Sequence, residues 1–218
     1  MIALCTAGLA FHANMAGIAS RSNVVMATKG KGYVGFWEKT APRVAPVTPS
    51  GDVPDTPVSQ QEVLACQAKW ADAICSISKT YLDGGDFVAA AGEAAGELYG
   101  YGHHNVLFKP TKATNNPFRA TGEDAMSYFV GAEAMKNDKF MGEDAGFAIN
   151  GGKGWKKVVF TNHQIDLNGP TAQAMGDYVF TDATSGDEVR VEYTFGYKRN
   201  DDGKVRIYLH HSSVPYAA

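Results

Sequence analysis

Two histidines and two serines close the last predicted strand of the chain, which runs from Lys204 towards Pro215. Successive side chains of a strand point to opposite faces, so this strand divides into two rows. One row holds Val205, Ile207, Leu209, His211 and Ser213, and the other holds Arg206, Tyr208, His210 and Ser212. The first row is apolar until it reaches His211, which favours a closed cavity with a proton-accepting nitrogen and a hydroxyl at its mouth. The alternative is a strand that leaves the core at Leu209 and ends in polar, exposed residues.

Two further residues could join His211 and Ser213. Tyr128 lies in a predicted short helix, and Thr111 follows a predicted short strand. A histidine placed among hydroxyl groups can move protons and hold water, which is the chemistry of general acid–base catalysis. The alternative is structural, because a tyrosine in an amphipathic helix is commonly a core residue and a threonine after a proline is commonly a turn residue.

The sequence carries no motif for a metal or a nucleotide. Neighbouring residues of a strand face opposite ways, so His210 and His211 cannot bind one ion together. His103 and His104 have no carboxylate or cysteine at ligand spacing. The glycines of residues 151–154 lack the strand-then-helix context of a phosphate-binding loop. We therefore expect no cofactor, while a zinc site assembled from distant residues remains an alternative.

Capping residues mark the helices that should position the candidate site. Ser59 and Glu62 form a capping-box pattern before a helix whose apolar residues recur every three or four positions. Asp86 predicts the start of a second, alanine-rich helix that ends near Tyr99. Thr121 predicts the start of a third, short helix that contains Tyr128.

From Trp155 onward the apolar period changes to two. Four antiparallel strands are predicted, at 156–167, 171–182, 188–198 and 204–213, after a short strand at 106–109. A chain whose helices come first and whose long β-meander follows has an α+β arrangement, with the helices packed on one side of the sheet. A strongly bent sheet covered in this way forms a cone, and the last strand is expected to lie along its interior.

Composition limits the partners of the chain. Its 218 residues are 44% hydrophobic and 20% charged, with a formal net charge of -3, which gives no reason to expect a nucleic acid or an anionic membrane as partner. After the first twenty residues no stretch has the roughly 20 consecutive apolar residues of a membrane span. We therefore expect neither a nucleic acid nor a membrane as partner.

The first part of the chain has the composition of a targeting segment. Residues 1–58 are predicted to be a targeting leader followed by a proline-rich linker, and residues 59–218 a single α+β domain. Glu38 is the single acidic residue among the first fifty, against five lysines and arginines, which is typical of a transit peptide and favours a plastid address. One alternative is an N-terminal segment without a targeting signal, and another is a docking function for residues 32–37.

Four short motifs follow one another between the helices and the end of the meander. They are Val-Leu-Phe-Lys-Pro-Thr (106–111), Phe-Arg-x-Thr (118–121), Ser-Tyr-Phe-Val-Gly (127–131) and His-His-Ser-Ser-Val-Pro (210–215). In this order, over about residues 59–216, the chain resembles the iota-class carbonic anhydrases of algae and bacteria. The resemblance implies a nuclear-transport-factor-like cone fold, which is shared with SnoaL-type cyclases and the association domain of calmodulin-dependent kinase.

The resemblance also implies an activity and a pocket. The activity is the reversible hydration of carbon dioxide to bicarbonate, without a metal. The implied pocket residues are Thr111, Tyr128, His211 and Ser213, with Thr114 and Thr121 as alternatives for the threonine. The resulting hypothesis is that His211 takes or relays a proton from water while the three hydroxyls hold water and the bicarbonate oxygens in line. A histidine with its usual pKa near 6.5 would make the activity fall in mild acid.

Two other functions remain open from the sequence. The cone could be a non-catalytic module that binds a ligand or forms oligomers, because one fold can carry unrelated functions. A cyclase or isomerase would need an inward carboxylate, for which Asp166 and Glu192 are the candidates. The apolar alternation from Val189 to Tyr197 serves either the core or a dimer interface, and we expect a homodimer.

Overall fold

The computed structural model describes residues 55–217. The predicted targeting leader and most of the predicted linker lie outside the described residues. Within the described range the chain forms four α-helices and five β-strands, with two short 3-10 turns at Asp138–Phe140 and Asn150–Gly152. None of the helices between residues 55 and 217 has the length and apolar character needed to cross a membrane.

The first helix, α1, spans Gln60–Leu82 and begins at the predicted capping box. The Ser59 hydroxyl accepts a hydrogen bond from the Glu62 amide at 3.2 Å, and the Glu62 carboxylate accepts one from the Ser59 amide at 2.9 Å. The predicted apolar stripe is buried and consists of Val63, Cys66, Trp70, Ile74 and Ile77. This stripe packs α1 against the sheet and places the Trp70 indole in the core.

The remaining helices also begin at their predicted caps. Helix α2 spans Phe87–Leu98, and the carboxylate of its cap residue Asp86 accepts a hydrogen bond from the Ala89 amide at 2.9 Å. Helix α3 spans Gly122–Val130 after the cap residue Thr121, and α4 is the short turn Ala132–Met135. The chain leaves α2 at Tyr99, which carries extended backbone and makes a parallel bridge to Ile207.

The predicted meander forms one sheet. Its strands are β2 (Trp155–Asn168), β3 (Thr171–Asp182), β4 (Glu188–Arg199) and β5 (Val205–Ser213), which pair antiparallel in chain order. The short strand β1 (Leu107–Lys109) adds parallel to β5, so the order is β1-β5-β4-β3-β2. Strand β5 therefore lies inside the sheet with a neighbour on each side. The α+β class and the packing of the helices on one side of the sheet are confirmed.

Aromatic rings fill the space between the helices and the sheet. Alternate residues of β4 lie in the core, from Val191 through Tyr193 and Phe195 to Tyr197, whereas Val189 at the start of the strand is 42% exposed. Their rings meet the rings of α1 and β3 in one continuous core. In such an interior, polar atoms must satisfy one another, because no bulk water is present to do so.

Candidate active site

An irregularity in β5 exchanges the two faces of the strand. Gly196 of β4 pairs with Leu209, but the next residue of β4 pairs with Ile207, so Tyr208 is an extra residue in β5. Such a β-bulge interrupts the alternation of side chains. A Cβ atom on Gly196 would lie 2.7 Å from the Tyr208 ring, so the glycine provides the room that the bulge needs.

The bulge contradicts the predicted inward orientation of His211 and Ser213. Beyond it, His210 and Ser212 turn inward and are each 3% exposed, whereas His211 is exposed and Ser213 is half-buried. His211 and Ser213 line a groove together with Glu192, outside the core. Because a shift of one residue moves every later side chain to the opposite face, the interior row continues with the first histidine and the first serine of the motif.

His210 is the middle member of a buried chain of hydrogen bonds. Its Nδ1 lies 2.7 Å from the hydroxyl of Tyr99, which accepts a hydrogen bond from the indole Nε1 of Trp70 at 3.0 Å. Its Nε2 lies 2.8 Å from the Oγ of Ser212, which lies 2.5 Å from the hydroxyl of Tyr178. Five side chains from α1, the end of α2, β5 and β3 are thus joined through four hydrogen bonds.

This series of five side chains contains one polar hydrogen atom more than it has hydrogen bonds. With a neutral imidazole, the five groups carry five N–H or O–H hydrogens for four hydrogen bonds. The Trp70 indole can only donate, so the spare hydrogen lies at Tyr99 when Nδ1 of His210 is protonated, and at the Ser212 and Tyr178 end when Nε2 is protonated. Conversion of one state into the other needs one proton taken up at the Ser212 and Tyr178 end and one given up at Tyr99, so the arrangement can relay a proton between these two ends.

Burial keeps the members of the chain uncharged. The ring centroids of Phe195 and Phe108 lie 4.1 Å and 4.6 Å from that of His210. The loss of hydration, together with the neighbouring His211, lowers the pKa of His210 well below its usual value. Burial likewise raises the pKa of Tyr99 well above 10. At neutral pH the imidazole and the phenol therefore exchange hydrogen bonds as neutral groups.

Tyr128 reaches the same region from α3. Its side chain is 4% exposed, and its ring packs edge-on against Phe108, which in turn stacks on His210. Burial raises the pKa of Tyr128, while the backbone amides of Lys112 and Thr111 act in the opposite direction as hydrogen-bond donors to its hydroxyl. The structure thus places Tyr128 and the backbone of Thr111 together.

The three threonine candidates differ clearly in their surroundings. Thr111 is half-buried and is the one whose backbone adjoins the Tyr128 hydroxyl. Thr114 is exposed, and its amide donates to the Glu143 carboxylate. The Thr121 hydroxyl is occupied as the α3 cap and accepts from the Asp124 amide at 3.1 Å. Thr111 therefore remains the candidate of the three.

A pocket of about 340 Å³ opens beside Tyr128. The Tyr128 and Phe147 rings, which are stacked with centroids 5.5 Å apart, form its apolar wall. The exposed Lys112 and Lys153 also line it, together with Glu143 and Asp144, whose carboxylates are engaged by backbone amides and by Arg119. An apolar wall next to two cations suits a reaction that interconverts a neutral molecule and an anion.

Glu143 fastens the segment that carries Thr111 to this pocket. Its carboxylate accepts hydrogen bonds from the backbone amides of Thr114, Asn115 and Asn116, the second at 2.9 Å. Partial burial acts to raise the pKa of Glu143, but the donated hydrogen bonds prevail and lower it. The carboxylate is therefore ionised at neutral pH and holds three successive amides.

A buried ion pair lies at the residue next to Glu143. The Arg119 guanidinium donates to both carboxylate oxygens of Asp144 at 2.7 Å and 2.8 Å, and both side chains are completely buried. The Ser127 hydroxyl donates to the same carboxylate at 2.7 Å. Ser127 immediately precedes Tyr128, so this pair fixes the part of α3 that carries the phenol.

One group of metal-type ligands occurs in the part of the chain that the structure describes: His103, Asp201 and Asp202. His103 Nδ1 lies 2.7 Å from the Asp201 carboxylate, and Asp202 pairs with Arg206 at 2.8 Å. A His103–Asp201 hydrogen bond and an Asp202–Arg206 ion pair within the protein thus account for this group. Sequence spacing did not reveal it, because His103 and Asp201 are 98 residues apart.

The two carboxylates that a cyclase or isomerase would use do not face the interior. Asp166 and Glu192 are both exposed. Around His210 the described interior instead offers imidazole, hydroxyl and indole groups, and the buried Asp144 carboxylate is paired with Arg119. This arrangement can hold and pass protons without a charged base in the core.

Trp70, Tyr99 and Tyr178 belong to the buried chain but were not among the predicted site residues. Trp70 lies in the apolar stripe of α1, and the two tyrosines occur in patterns that are typical of core aromatics. Their polar tips become significant through partners that are distant in sequence, such as the 111 residues between Tyr99 and His210. The one local signal was Gly196, since a glycine inside a strand indicates a bulge.

A bent, mostly antiparallel sheet with helices on one side and a chain of hydrogen-bonded polar side chains in its core defines an α+β cone domain with an interior site. Residues 61–214 match the family described as metal-independent carbonic anhydrase. The chain belongs to this family, the iota class of carbonic anhydrases, whose activity is the reversible hydration of carbon dioxide.

Three known proteins are similar to this chain to different degrees. A metal-independent carbonic anhydrase from Nostoc sp. is 40% identical over 162 residues, which cover 73% of this chain and 75% of the relative. The crystal structure of a cyanobacterial iota-carbonic anhydrase complexed with bicarbonate is 37% identical and aligns with a TM-score of 0.67, over 78% of this chain and all of that one. An NTF2-like family protein from Streptomyces avermitilis is 15% identical with a TM-score of 0.43, over 72% of this chain and 96% of that one.

Proposed function

We propose that this carbonic anhydrase hydrates carbon dioxide in the pocket beside Tyr128 and passes the released proton along the buried chain centred on His210. The observation that carries the proposal is the chain itself, which ends at the Ser212 and Tyr178 hydroxyls and holds one spare hydrogen. Tyr128 lies one ring away from this chain, because the Phe108 ring packs against both Tyr128 and the His210 imidazole, with centroids 5.7 Å and 4.6 Å apart. The bicarbonate held by the cyanobacterial relative supports the same ligand here.

The proposed reaction has one bond-forming step. A water oxygen bonds to the carbon of carbon dioxide, one of its protons leaves to the Ser212 and Tyr178 hydroxyls, and bicarbonate remains. Ser212 passes its own hydrogen to Nε2 of His210, which is open as an acceptor when Nδ1 carries the ring hydrogen and donates to Tyr99. Burial lowers the pKa of His210, so the imidazolium is short-lived, and its proton goes back through Ser212 to the pocket end of the chain and leaves to water there.

The negative charge that develops on the bicarbonate oxygens needs donors. The Tyr128 hydroxyl lies at the pocket wall with Lys112, and the backbone amides of Lys112 and Thr111 lie beside this hydroxyl, so they act as prearranged dipoles. Lys112 and Lys153 attract the anion at the pocket opening. A positioned proton acceptor contributes about 10² to 10⁴-fold to the rate, and holding water and gas together adds to that by removing their freedom of motion.

The adjacent serines allow a matched test. In stopped-flow hydration assays of the full chain in chelator-treated, metal-free buffer, we expect Ser212→Ala to lower kcat/KM by about 10²-fold. Ser213→Ala should stay within about twofold of the parent, because Ser213 lies on the other side of the strand. A parent protein that is inactive without added metal would contradict the proposal, as would an equal loss in both variants.

We also propose that the protein is a homodimer that associates through the outer face of its sheet. Met175 and Val159 are 56% and 42% exposed on β3 and β2. A surface Arg190–Asp177 ion pair lies beside Met175 in the same groove. Apolar side chains with charges at their margin are the composition of an interface. In light scattering, the parent should be a dimer and Met175→Arg a monomer. A parent that is monomeric at micromolar concentration would contradict this proposal.

For the cellular location, we propose a plastid. The basic, acid-poor composition of residues 1–50 supports it, and a plastid carbonic anhydrase would act in carbon concentration. Fusion of residues 1–58 to a fluorescent protein should place the fluorescence in the plastid of an algal cell. Fluorescence that stays in the cytosol would contradict this location.

A further inference from the structure

A small cavity lies between α1 and α2, on the helix side of the core. Its volume is about 20 Å³. Ile74 and Ile77 of α1 and Ala91 and Leu98 of α2 line it with aliphatic groups. A water molecule needs about 10–15 Å³ and two to four polar partners. The cavity is therefore large enough for one small molecule but offers little to hold water.

These walls restrict the chemistry of an occupant. A bicarbonate ion would lose its hydration without gaining a charged partner, which is unfavourable by several kcal/mol or more. An uncharged linear molecule of three atoms loses little hydration and gains dispersion contacts with the surrounding methyl groups. Apolar cavities in proteins take up xenon and small hydrocarbons for the same reason.

The cavity adjoins the buried proton chain. Trp70 and Tyr99 line it, and these are the two residues that precede His210 in the hydrogen-bonded series. The Tyr99 ring stacks on the imidazole with centroids 6.1 Å apart, and the Trp70 ring meets it edge-on at 5.8 Å. A molecule in the cavity is thus one layer of rings away from His210.

The wall towards solvent is thin. Ala94 and Ala95, both half-buried, line the cavity from α2. The neighbouring Gly92 and Gly96 are exposed and have no side chain to cover it. Helix α2 buries only Ala91 and Leu98 fully, so a small displacement of this helix opens a path for a molecule of two or three atoms.

We infer that this cavity is a binding site for carbon dioxide, through which the gas approaches the site from the helix side. Bicarbonate then exchanges with solvent on the other side, through the pocket lined by Lys112 and Lys153. This inference rests on the proposed hydration of carbon dioxide. It adds that carbon dioxide and bicarbonate use different routes, because the cavity is apolar whereas the pocket opening carries two lysines.

Xenon reports occupancy of the cavity independently of catalysis. In methyl spectra of the full chain under xenon pressure, we expect shifts of the Ile74 and Ile77 methyl signals. Ala91→Leu fills the cavity and should remove these shifts. Ala89→Leu makes the same change on an exposed position of α2 and should keep them. Ile74→Val, a mild change that enlarges the cavity, should increase them and serves as the test if Ala91→Leu does not fold.

Kinetics then test the route. Ala91→Leu should raise KM for carbon dioxide about fivefold with kcat within about twofold, the signature of lost uniform binding. Ala89→Leu should match the parent. The inference is overturned if xenon leaves the Ile74 and Ile77 signals of the parent unshifted, or if Ala91→Leu excludes xenon but keeps the parent KM. A parent that binds xenon but does not hydrate carbon dioxide would refute the proposed function. The cavity would then still bind gas, but the inference that it carries carbon dioxide to the site would be overturned.

Discussion

His210 and His211 are neighbours in the chain with opposite environments. The first is 3% exposed and surrounded by aromatic rings, and the second is exposed and lines an outer groove. A serine accompanies each of them, so residue type alone cannot distinguish the two pairs. The hydrogen-bond partners do distinguish them, because Tyr99 and Ser212 occupy both ring nitrogens of His210.

Removing one hydroxyl should break the chain without changing its shape. Tyr99→Phe keeps the ring but leaves the Trp70 indole and His210 Nδ1 without their partner, so the relay loses the group that accepts its proton. We expect kcat to fall by about 10- to 100-fold, and the free energy of unfolding to fall by about 1–3 kcal/mol.

Tyr101→Phe is the matched control for that variant. Tyr101 stacks on Tyr99, but its hydroxyl donates to the Arg119 carbonyl instead. Its kcat in the stopped-flow assay should stay within about threefold of the parent. Equal rates for Tyr99→Phe and the parent would show that the link from His210 to Trp70 is not used.

At the scale of elements, the caps and periods of the sequence predicted nearly every boundary. Ser59, Asp86 and Thr121 each begin a helix where their side chains predicted one, and the observed strand ends differ from the predicted ends by at most one residue. These signals are local, since a cap or an alternation involves residues within a few positions. The prediction of which β5 residues face the core was wrong, because the bulge in β5 depends on Gly196 of the neighbouring strand.

The segment from Thr111 to Asn116 gives a prediction at this scale. Glu143→Ala removes the acceptor of three amides, so the amides of Thr111 and Lys112 should lose their alignment on Tyr128. We expect faster hydrogen exchange of the amides at 114–116 and a fall in kcat/KM of about tenfold, because positioning groups act through misalignment of the reacting atoms.

Glu93→Ala provides the control, since Glu93 is an exposed carboxylate on α2. Its exchange rates at 114–116 and its kcat/KM should equal those of the parent. If Glu143→Ala instead speeds exchange at 114–116 with no change in kcat/KM, the segment is not part of the site. Glu143→Gln retains an acceptor oxygen and should recover part of the activity.

At the scale of the whole molecule, a buried neutral histidine couples folding to pH. The pKa of His210 is lowered by burial in the folded chain, whereas the unfolded chain titrates near 6.5. Below pH 6.5 the unfolded state binds a proton that the folded state does not, so stability is complete above this pH and is lost as pH falls. His210 is still neutral at pH 6.5, so we expect no fall in activity there. This differs from the fall in mild acid that was expected for His211.

Chemical denaturation at several pH values tests this coupling. Between pH 6 and pH 5 the free energy of unfolding should fall by up to about 1.4 kcal/mol per pH unit for this one group. His104, whose pKa burial also lowers, adds in the same direction. A His210→Gln variant should lose the His210 part of the slope, and an unchanged slope would contradict the assignment of a neutral, buried His210.

The most direct test compares the two adjacent histidines. Glutamine can keep hydrogen bonds to Tyr99 or Ser212 but cannot relay a proton, so His210→Gln should lower kcat/KM for carbon dioxide hydration by about 10²-fold or more. His211→Gln, measured beside it in metal-free buffer, should stay within about twofold of the parent. A large loss in His211→Gln with activity retained in His210→Gln would contradict the assignment of catalysis to the buried chain.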